Sequence, residues 1–301
     1  MKLLVFGSIN IDDVYRLHHL VKEGETIDSQ SYQRSEGGKG LNQAIALAKA
    51  GADVYFAGAI GEDGTYLLDF LSSSGVRTDY IQKLNVPTGH AIIQVDDEGR
   101  NCIILYGGAN RCISPEMIDS ILFNFGAGDC ILMQNEISSL DYLISAAHRK
   151  GMTIFLNPSP ITENLKSYPL DLVDLFILNE IEGYGLTEKT DEDDIVDAML
   201  SRFPSCRVLL TLGEKGAIYG DAARRLRQAA TPVDALDTTG AGDAFTGFFV
   251  RSILLGETVE HAMQTASLAA AIAVSRFGAG RSIPYKDEVE QAMSACTGSK
   301  G

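Results

Sequence analysis

Several features that define common classes of protein are missing from this 301-residue sequence. Its five cysteines are odd in number and form no Cys-x-x-Cys pair, which argues against a disulfide framework and predicts reduced thiols in the cytosol. No stretch approaches the ~18 consecutive apolar residues of a membrane-spanning helix. The apolar start, Met1 to Ile9, is short and is soon followed by Asp12 and Asp13, so it predicts a first strand rather than a signal peptide.

Basic residues are also scarce. The chain has 25 Lys and Arg against 40 Asp and Glu, a net charge of −15 and a pI of about 4.7. A nucleic-acid surface or an anionic membrane needs basic patches, so we expect neither as a partner. A phosphorylated ligand is still possible, because helix N-termini, a metal ion and a few local cations are enough to hold it.

The sequence lacks the glycine motif of dinucleotide-binding oxidoreductases. That motif, Gly-x-Gly-x-x-Gly, directly follows the first strand, and an acidic residue comes about 20 positions later. Here the first predicted strand, residues 3–8, ends in the sequence Gly7-Ser8-Ile9-Asn10, which does not match. The absence argues against a dinucleotide oxidoreductase.

What is present is a regular alternation of strands and helices. Short apolar runs predict strands at 3–8, 54–59, 130–133, 153–156, 175–178 and 208–212, with 217–219 able to pair beside the last. Amphipathic segments predict helices from about 39 to 51, over 66–71, from 115, and over 139–149, 241–255 and 259–275. This order predicts an α/β fold, a parallel sheet between two layers of helices. Without a linker or a repeat, residues 1–301 are expected to form a single domain.

Two β-rich segments, about 11–35 and 88–106, interrupt this alternation. The second predicts a hairpin, with strands at 91–95 and 102–105 and a turn at 97–99. We expect the two segments to pair into a small sheet that projects from the main domain. Ligands of such folds bind at the carboxyl ends of the strands, so a sheet near that edge would act as a lid.

The most informative stretch is Asp-Thr-Thr-Gly-Ala-Gly-Asp at 237–243, which precedes an amphipathic helix. The free amides of Gly240, Ala241 and Gly242, together with the helix dipole, suit a bound anion. Asp243 in the first turn would place a base beside a phosphate, which suggests phosphoryl transfer to a hydroxyl. A capped helix after a glycine turn would explain the same residues without any chemistry.

Polar residues collect where the predicted strands end. They occur at 8–12, 134–136, 179–182 and 213–216. Taken singly, each group fits a cap or a turn. In a parallel sheet these ends share one edge, and Asn, Asp and Glu side chains hydrogen-bond hydroxyl groups. Together they predict a polyol site next to the phosphate site.

These residues resemble the ribokinase family of sugar kinases, also called the phosphofructokinase B family. The resemblance runs from Gly7 to about Pro284 and rests on two motifs, Gly-Gly-Lys-Gly-Leu-Asn-Gln at 37–43 and the stretch at 237–243. It implies a ribokinase-like sandwich with a β-sheet lid, in a cytoplasmic enzyme that uses ATP, Mg²⁺ and K⁺. The expected reaction is phosphorylation of D-ribose at O5, and pairing through the lid would give a homodimer.

The resemblance also assigns roles to individual residues. Sugar binding falls to Asn10, Asp12, Gly38, Lys39, Asn42 and Glu136. Asp243 would be the catalytic base, with Gly240, Ala241 and Gly242 around the transferred group. ATP binding falls to Asn179, Thr211, Gly213, Gly216, Gly242 and Ser267. Glu182 would be linked to magnesium, and potassium would lie beside Asp237, Thr239, Ala273, Arg276, Gly278 and Ser282, mostly against backbone carbonyls.

The resemblance is not complete, and alternatives stay open. Leu178 stands where ribokinases often have proline, and Asn135 stands where an apolar residue is usual, which bears on the sugar pocket. A kinase of another small sugar or of a nucleoside is the alternative within the family. A nucleoside would need an apolar slot, for which Tyr15 and Tyr32 are the nearest aromatic residues, although packing within the lid explains them equally well. A non-catalytic sugar sensor would be expected to lose Asp243 or the glycines, and both are kept. Lys39 also fits a solvated lysine at a helix start.

Overall fold

The fold comes from a computed structural model that describes residues 1–298, with side chains described to residue 295. The strands are β1 (Leu3–Phe6), β2 (Asn10–Arg16), β3 (Ser31–Gly37), β4 (Val54–Ile60), β5 (Arg77–Lys83), β6 (Gly89–Val95), β7 (Asn101–Tyr106), β8 (Cys130–Gln134), β9 (Thr153–Asn157), β10 (Leu175–Asn179), β11 (Arg207–Thr211), β12 (Ala217–Gly220) and β13 (Arg225–Gln228). The helices are α1 (Lys39–Lys49), α2 (Thr65–Ser73), α3 (Pro115–Leu122), α4 (Leu140–Arg149), α5 (Glu180–Thr187), α6 (Glu192–Arg202), α7 (Ala241–Leu254), α8 (Val259–Val274) and α9 (Lys286–Gly298).

The large sheet has nine strands in the order β13-β12-β11-β10-β9-β8-β1-β4-β5. Strands β11 to β5 of that order pair in parallel, while β12 and β13 are antiparallel. Each predicted strand is present, and 217–219 pairs beside β11 as expected. The edge strands β5 and β13 and the helices α5, α6 and α9 were not predicted. The edge strands are rich in charged residues and bury little, so their sequences lack the apolar run of a central strand.

Helices cover the large sheet on both faces, as the α/β prediction required. One apolar core contains residues of α1, α2, α7, α8 and α9 against one face, and a second core contains residues of α3, α4, α5 and α6 against the other. Strand residues alternate between the two cores: Val5 belongs to the first, Leu4 and Phe6 to the second. The central strands are buried on both sides, which explains their continuous apolar sequences.

The small sheet has four strands in the order β3-β2-β6-β7. It combines the two predicted β-rich segments, and β6 and β7 form the predicted hairpin. The prediction for 11–35 was too broad, because residues 17–30 form no strand and separate β2 from β3. The end of the first strand was also misplaced: β1 stops at Phe6, and Asn10 and Asp12 lie on β2 of the small sheet. Gly7, Ser8 and Ile9 are therefore the connection between the two sheets.

The carboxyl ends of the central strands lie level with one another. Gln134 at the end of β8 pairs with Asn157 at the end of β9, and Asn179 pairs with Thr211 at the ends of β10 and β11. The helices α1, α5 and α7 begin near this edge. The predicted clustering of polar strand ends is therefore a consequence of sheet register.

The described cysteines and helices agree with two predictions from the sequence, namely unpaired thiols and no membrane-spanning helix. Cys102, Cys112, Cys130 and Cys206 are all unpaired, while the side chain of Cys296 lies outside the described residues. Within residues 1–298, no helix is both long enough and apolar enough to cross a membrane.

Candidate active site

Asp243 lies at the centre of the site, in the first turn of α7, and its side chain is buried. One carboxylate oxygen accepts a hydrogen bond from Asn42 Nδ2 at 3.1 Å, and the other accepts from Gln43 Nε2 at 3.0 Å. Both donors lie near the start of α1. The two glycine-rich motifs, 200 residues apart in the chain, therefore meet at one carboxylate.

A chain of amides connects this carboxylate to the strand ends. Gln43 Oε1 accepts from Gln134 Nε2 at 2.7 Å, and Gln43 Nε2 also lies 3.3 Å from Asn157 Oδ1. Asn157 Nδ2 in turn donates to the carbonyl of Ile177 at 2.8 Å. Sequence reasoning gave Gln43 no role and missed Asn157, although Asn157 follows an apolar strand like the other polar strand ends. The network orients Gln43, and through it Asp243.

The charges of Asp243 and Lys39 shift each other's pKa. Burial raises the pKa of Asp243 above its usual range, while Lys39 and the amides of Gln43 and Asn42 act in the opposite direction. Burial would lower the pKa of Lys39, but the negative charges of Asp243, Glu136 and Glu182 outweigh it, and the net shift is upward. Lys39 therefore stays a cation among three carboxylates, which favours a site role over a solvated lysine.

A small cavity of about 70 Å³ opens at this point, at the carboxyl edge of the large sheet. Its lining contains predicted residues from the base, sugar, nucleotide and magnesium groups, namely Lys39, Asn179, Glu182, Thr211, Gly242 and Asp243. Gln43 and Asn157 line it as well. The structure thus brings residues from five separate parts of the sequence to one place.

The start of α7 leaves backbone amides available. Gly240 is the N-cap residue, with φ of 77°, and no side chain caps the helix. The amide of Ala241 donates to the carbonyl of Thr238 at 3.3 Å, whereas those of Gly242 and Asp243 have no acceptor within the described residues. The space around the Gly242 Cα is open. An anion can therefore approach two free N–H groups directly beside the Asp243 carboxylate.

The predicted sugar residues border the junction of the two sheets. Glu136 accepts a hydrogen bond from the Ser8 hydroxyl and one from the Lys39 amide at 3.3 Å. Asn10 Oδ1 accepts from Asn110 Nδ2 at 2.8 Å. Asn110 also bonds both backbone groups of Ile9, so it fixes the connection between β1 and β2. Nothing in the sequence around Asn110 marked it, because it lies in a short 3-10 turn that follows the edge strand β7 rather than a buried strand of the large sheet.

Two groups on this side are poised for a polar ligand. The Asn42 side-chain oxygen is buried and has no partner among the described residues, so it is a free acceptor. Burial, with the charges of Glu136 and Asp13, raises the pKa of Asp12 to about 7. Gly38, between these residues, takes φ of 99° and lies against the backbone of Ser8 and Asn10. A methyl group there would meet that backbone.

Asn179 and Glu182 form a capping box at the start of α5. Asn179 Oδ1 accepts from the Glu182 amide at 2.9 Å, and the Glu182 carboxylate accepts from the amide and the side chain of Asn179 at 2.9 and 3.1 Å. Each Glu182 oxygen then has one donor and a lone pair to spare. The Thr211 hydroxyl donates to the Leu178 carbonyl at 3.3 Å.

The other predicted nucleotide residues lie apart from the small cavity. Ser267 Oγ accepts from the Thr231 amide at 3.1 Å, and Gly216, with φ of 105°, lies against the backbone of residues 228–230. Gly213 has open space around its Cα. Ser267 and Gly216 therefore contact the same segment, which follows β13.

The predicted potassium residues come from two segments that Asp237 joins. Its carboxylate accepts from the Thr239 amide at 3.0 Å and from the Gly278 amide at 2.9 Å. Burial would raise the pKa of Asp237, but these hydrogen bonds outweigh it and the net shift is downward. The Arg276 guanidinium instead pairs with Glu288. The Arg276 amide donates to the Ala273 carbonyl, and both the amide and the hydroxyl of Ser282 donate to the Ala279 carbonyl.

Comparison with known proteins gives this arrangement a family. The model described as pfkB family carbohydrate kinase matches residues 1–286. The chain belongs to the pfkB family of carbohydrate kinases. A ribokinase of Haemophilus influenzae is 36% identical over 296 residues, which cover 95% of this chain and 96% of that protein. A deoxyribokinase of Salmonella typhi is 31% identical over 308 residues, with coverage of 98% and 99%.

Solved structures of the pfkB family agree with the fold. The structure of Arabidopsis thaliana ribokinase complexed with ribose and ATP aligns with a TM-score of 0.85 and 33% identity, covering 96% of this chain and 97% of that one. The predicted resemblance and the predicted ribokinase-like fold are therefore confirmed.

Proposed function

We propose that this chain transfers a phosphoryl group from ATP to O5 of D-ribose, with Asp243 as the general base. One observation carries the proposal: a buried carboxylate, oriented by Asn42 and Gln43, stands beside the free amides at the start of α7. The similarity to ribokinases over nearly the whole chain supports ribose as the acceptor.

In this reaction Asp243 accepts the proton of the attacking hydroxyl and aligns its oxygen with the phosphorus. The raised pKa of Asp243 suits a group that must take up a proton. The amides of Gly242 and Asp243 stabilise charge on the transferred group. The cation of Lys39, which is close enough to Asp243, Glu136 and Glu182 to be stabilised by their charges, would attract the transferred phosphoryl group towards the sugar.

The sugar would lie between the small sheet and α1. Asp12, Asn10, Glu136 and the free oxygen of Asn42 would accept bonds from its hydroxyls. The small sheet, which carries Asp12 and Asn10, would act as a lid that keeps water from competing as the acceptor. ATP would lie over Thr211, Asn179 and the segment that Ser267 and Gly216 contact, with Gly213 at its open side.

Two cations complete the proposal, and the residues present fit both. The spare lone pairs of Glu182 would hold Mg²⁺ through water, and Mg²⁺ would neutralise charge on the ATP phosphates. The described residues contain no group of three or more carboxylate, His or Cys side chains suited to a metal, so phosphates and water would supply the other ligands. The ionised Asp237, at the junction of two loops rich in backbone carbonyls, would favour a potassium ion.

The test is a coupled assay of ADP release across a panel of ribose, deoxyribose, fructose and adenosine. We expect ribose to give the largest kcat/KM, and the product to be identified as the 5-phosphate. A preference for deoxyribose would match the deoxyribokinase relative. A preference for adenosine would indicate that Tyr15 and Tyr32 of the small sheet bind the nucleobase. Absence of sugar-dependent ADP release would overturn the kinase proposal.

We further propose one kinase domain over residues 1–301, a cytosolic location in keeping with the unpaired cysteines, and a homodimer through the small sheet. All six residues of the edge strand β7 are exposed, with Ile103 at 56% and Ile104 at 58%. An apolar edge strand of this kind invites pairing with another strand. We expect light scattering to give a dimer mass for the native protein and a monomer mass for Ile103→Lys. A native monomer at micromolar concentration would contradict the dimer.

A further inference from the structure

Four consecutive residues, Gly278 to Arg281, contact three different parts of the proposed active site. They lie in the loop 276–282 between α8 and α9. Gly278 donates its amide to Asp237, Ala279 lies against Gly240, Gly280 lies against Asn42, and Arg281 pairs with Glu36. The loop therefore connects the start of α7, the sugar side of α1 and the small sheet.

A buried lysine of α1, Lys49, holds the loop by hydrogen bonds. Lys49 Nζ donates to the carbonyls of Gly280 at 3.1 Å and Ile283 at 2.8 Å. These bonds fix the loop to α1. The loop is thus held firmly on the side of the large sheet, and Arg281 is the residue that reaches from it to the small sheet.

The bidentate geometry of the Arg281–Glu36 pair fixes the two side chains relative to each other. The guanidinium is bidentate, with Nε 3.0 Å from Oε2 and Nη2 2.7 Å from Oε1 of Glu36. The Glu36 side chain is only 9% exposed, whereas that of Arg281 is 69% exposed and lies over the ring of Phe70. Loss of the arginine would leave a largely buried carboxylate without its counter-charge, which costs far more than loss of a surface pair.

Glu36 stands at the place where the small sheet passes into α1. It is the next-to-last residue of β3, and Gly37 and Gly38 follow before α1 begins. The Asp12 carboxylate lies directly against Gly37. A shift of Glu36 would therefore move the backbone beside Asp12.

We propose that Arg281 and Glu36 are positioning residues that couple the placement of the small sheet to the geometry at the start of α7. The pair fixes Asp12 through Gly37 on one side. On the other side it fixes Gly240 through Ala279 and Asn42 through Gly280. This inference rests on the proposed kinase function, and neither residue contacts the reacting atoms.

The first experiment measures steady-state kinetics of Arg281→Gln, Glu36→Gln and the double variant, with ribose and ATP. We expect each single variant to raise the KM for ribose about tenfold and to lower kcat about fivefold, with the KM for ATP changed less than twofold. The double variant should be no worse than either single one, because both changes remove the same interaction. Arg281→Lys keeps the charge without the bidentate geometry and should be intermediate.

Asp53→Asn is the matched control, since Asp53 and Arg77 form a bidentate pair of similar length on an exposed surface. It should behave as the native protein. A rise in KM alone with unchanged kcat, unchanged kinetics, or additive losses in the double variant would overturn the coupling.

The second experiment needs no substrate and so separates this inference from the proposed function. Hydrogen exchange of the ligand-free protein should be faster in Glu36→Gln than in the native protein, both at 35–38 and at 276–282. Asp53→Asn should leave both segments unchanged. Faster exchange in only one of the two segments, or in neither, would overturn the coupling whatever the enzyme phosphorylates.

Discussion

Helices α1 and α7 begin with the same kind of sequence, yet their glycines are there for different reasons. Both helices have a glycine N-cap with positive φ, Gly38 at 99° and Gly240 at 77°, and neither is capped by a side chain. A Cβ on Gly40 would lie 2.5 Å from the Ser8 nitrogen, closer than the sum of the two van der Waals radii allows. At Gly242 a Cβ would meet nothing within 4 Å.

The contrast between Gly40 and Gly242 distinguishes a glycine needed for close packing from a glycine that leaves room for a ligand. At α1 the missing side chains let the helix approach the chain between the two sheets, which brings Asn42 and Gln43 to Asp243. At α7 the missing side chain keeps free space over unpaired amides, as the proposed phosphate site requires. A glycine motif in a sequence does not by itself distinguish these two uses.

The largest expected effect tests the point where the two helix starts meet. Asp243→Asn keeps the shape of the side chain and its place beside Asn42 and Gln43 but removes its basicity. We expect kcat to fall roughly 10²–10⁴-fold. Binding of ribose and of an ATP analogue, measured by calorimetry, should change little. An Asn variant with more than a tenth of native turnover would exclude Asp243 as the base.

The comparison itself is tested by the pair Gly40→Ala and Gly242→Ala. The methyl group at 40 collides with backbone, so the free energy of unfolding should fall by about 1–3 kcal/mol. At 242 the methyl group meets open space, and alanine favours a helix by up to ~1 kcal/mol, so stability should be kept or raised.

Activity should follow the opposite order. Gly242→Ala should lose at least tenfold in kcat, because its methyl group occupies the space of the phosphate. Thermal denaturation and kinetics on the same samples check both variants. Equal loss of stability in the two, or full activity of a stable Gly242→Ala, would remove the distinction.

A smaller effect concerns Asp12, which lies on β2 and contacts Gly37 just before α1. Asp12→Ala should raise the KM for ribose at least tenfold, since a hydrogen bond to a charged group contributes about 1.5–3 kcal/mol, while the KM for ATP stays unchanged.

The pH dependence of sugar binding gives a second readout of Asp12. Its pKa is raised to about 7, so the carboxylate is protonated below that pH and can accept from both oxygens only above it. The native KM for ribose should therefore fall as the pH rises from 6 to 8, and Asp12→Asn should lack this change. If Asp12→Ala raised the KM for ribose and the KM for ATP equally, Asp12 would not be in the sugar site.

The smallest effect concerns the loop that leads into α7. Potassium should raise turnover several-fold over tetramethylammonium at matched ionic strength, because a cation at Asp237 would fix the amides that face the phosphate. Asp237→Ala should abolish the response. The same turnover in both salts would leave Asp237 as a residue that only joins Thr239 to Gly278.

Much of this protein could be read from local sequence. Buried parallel strands are continuous apolar runs, so the central strands and the α/β class were evident, and the two glycine motifs were enough to predict the family. The edge strands were missed because strands that bury little leave a weak pattern. Helices α5, α6 and α9 were missed as well, although α6 buries Ile195, Val196 and Met199. The assignments of individual residues to sugar, nucleotide and cations stay predictions.

The sequence by itself determined the class of fold and the start of α7, and it singled out Asp243 as the candidate base, because helix starts and apolar periodicity are local properties. Only the tertiary structure decided that Asn42 and Gln43 hold Asp243, that Asn110 fixes the turn before Asn10, and that Arg281 reaches Glu36. These contacts join residues 100 to 245 positions apart, and they depend on strand order and register. No local pattern contains that information, because it arises only when separate elements pack around a common core.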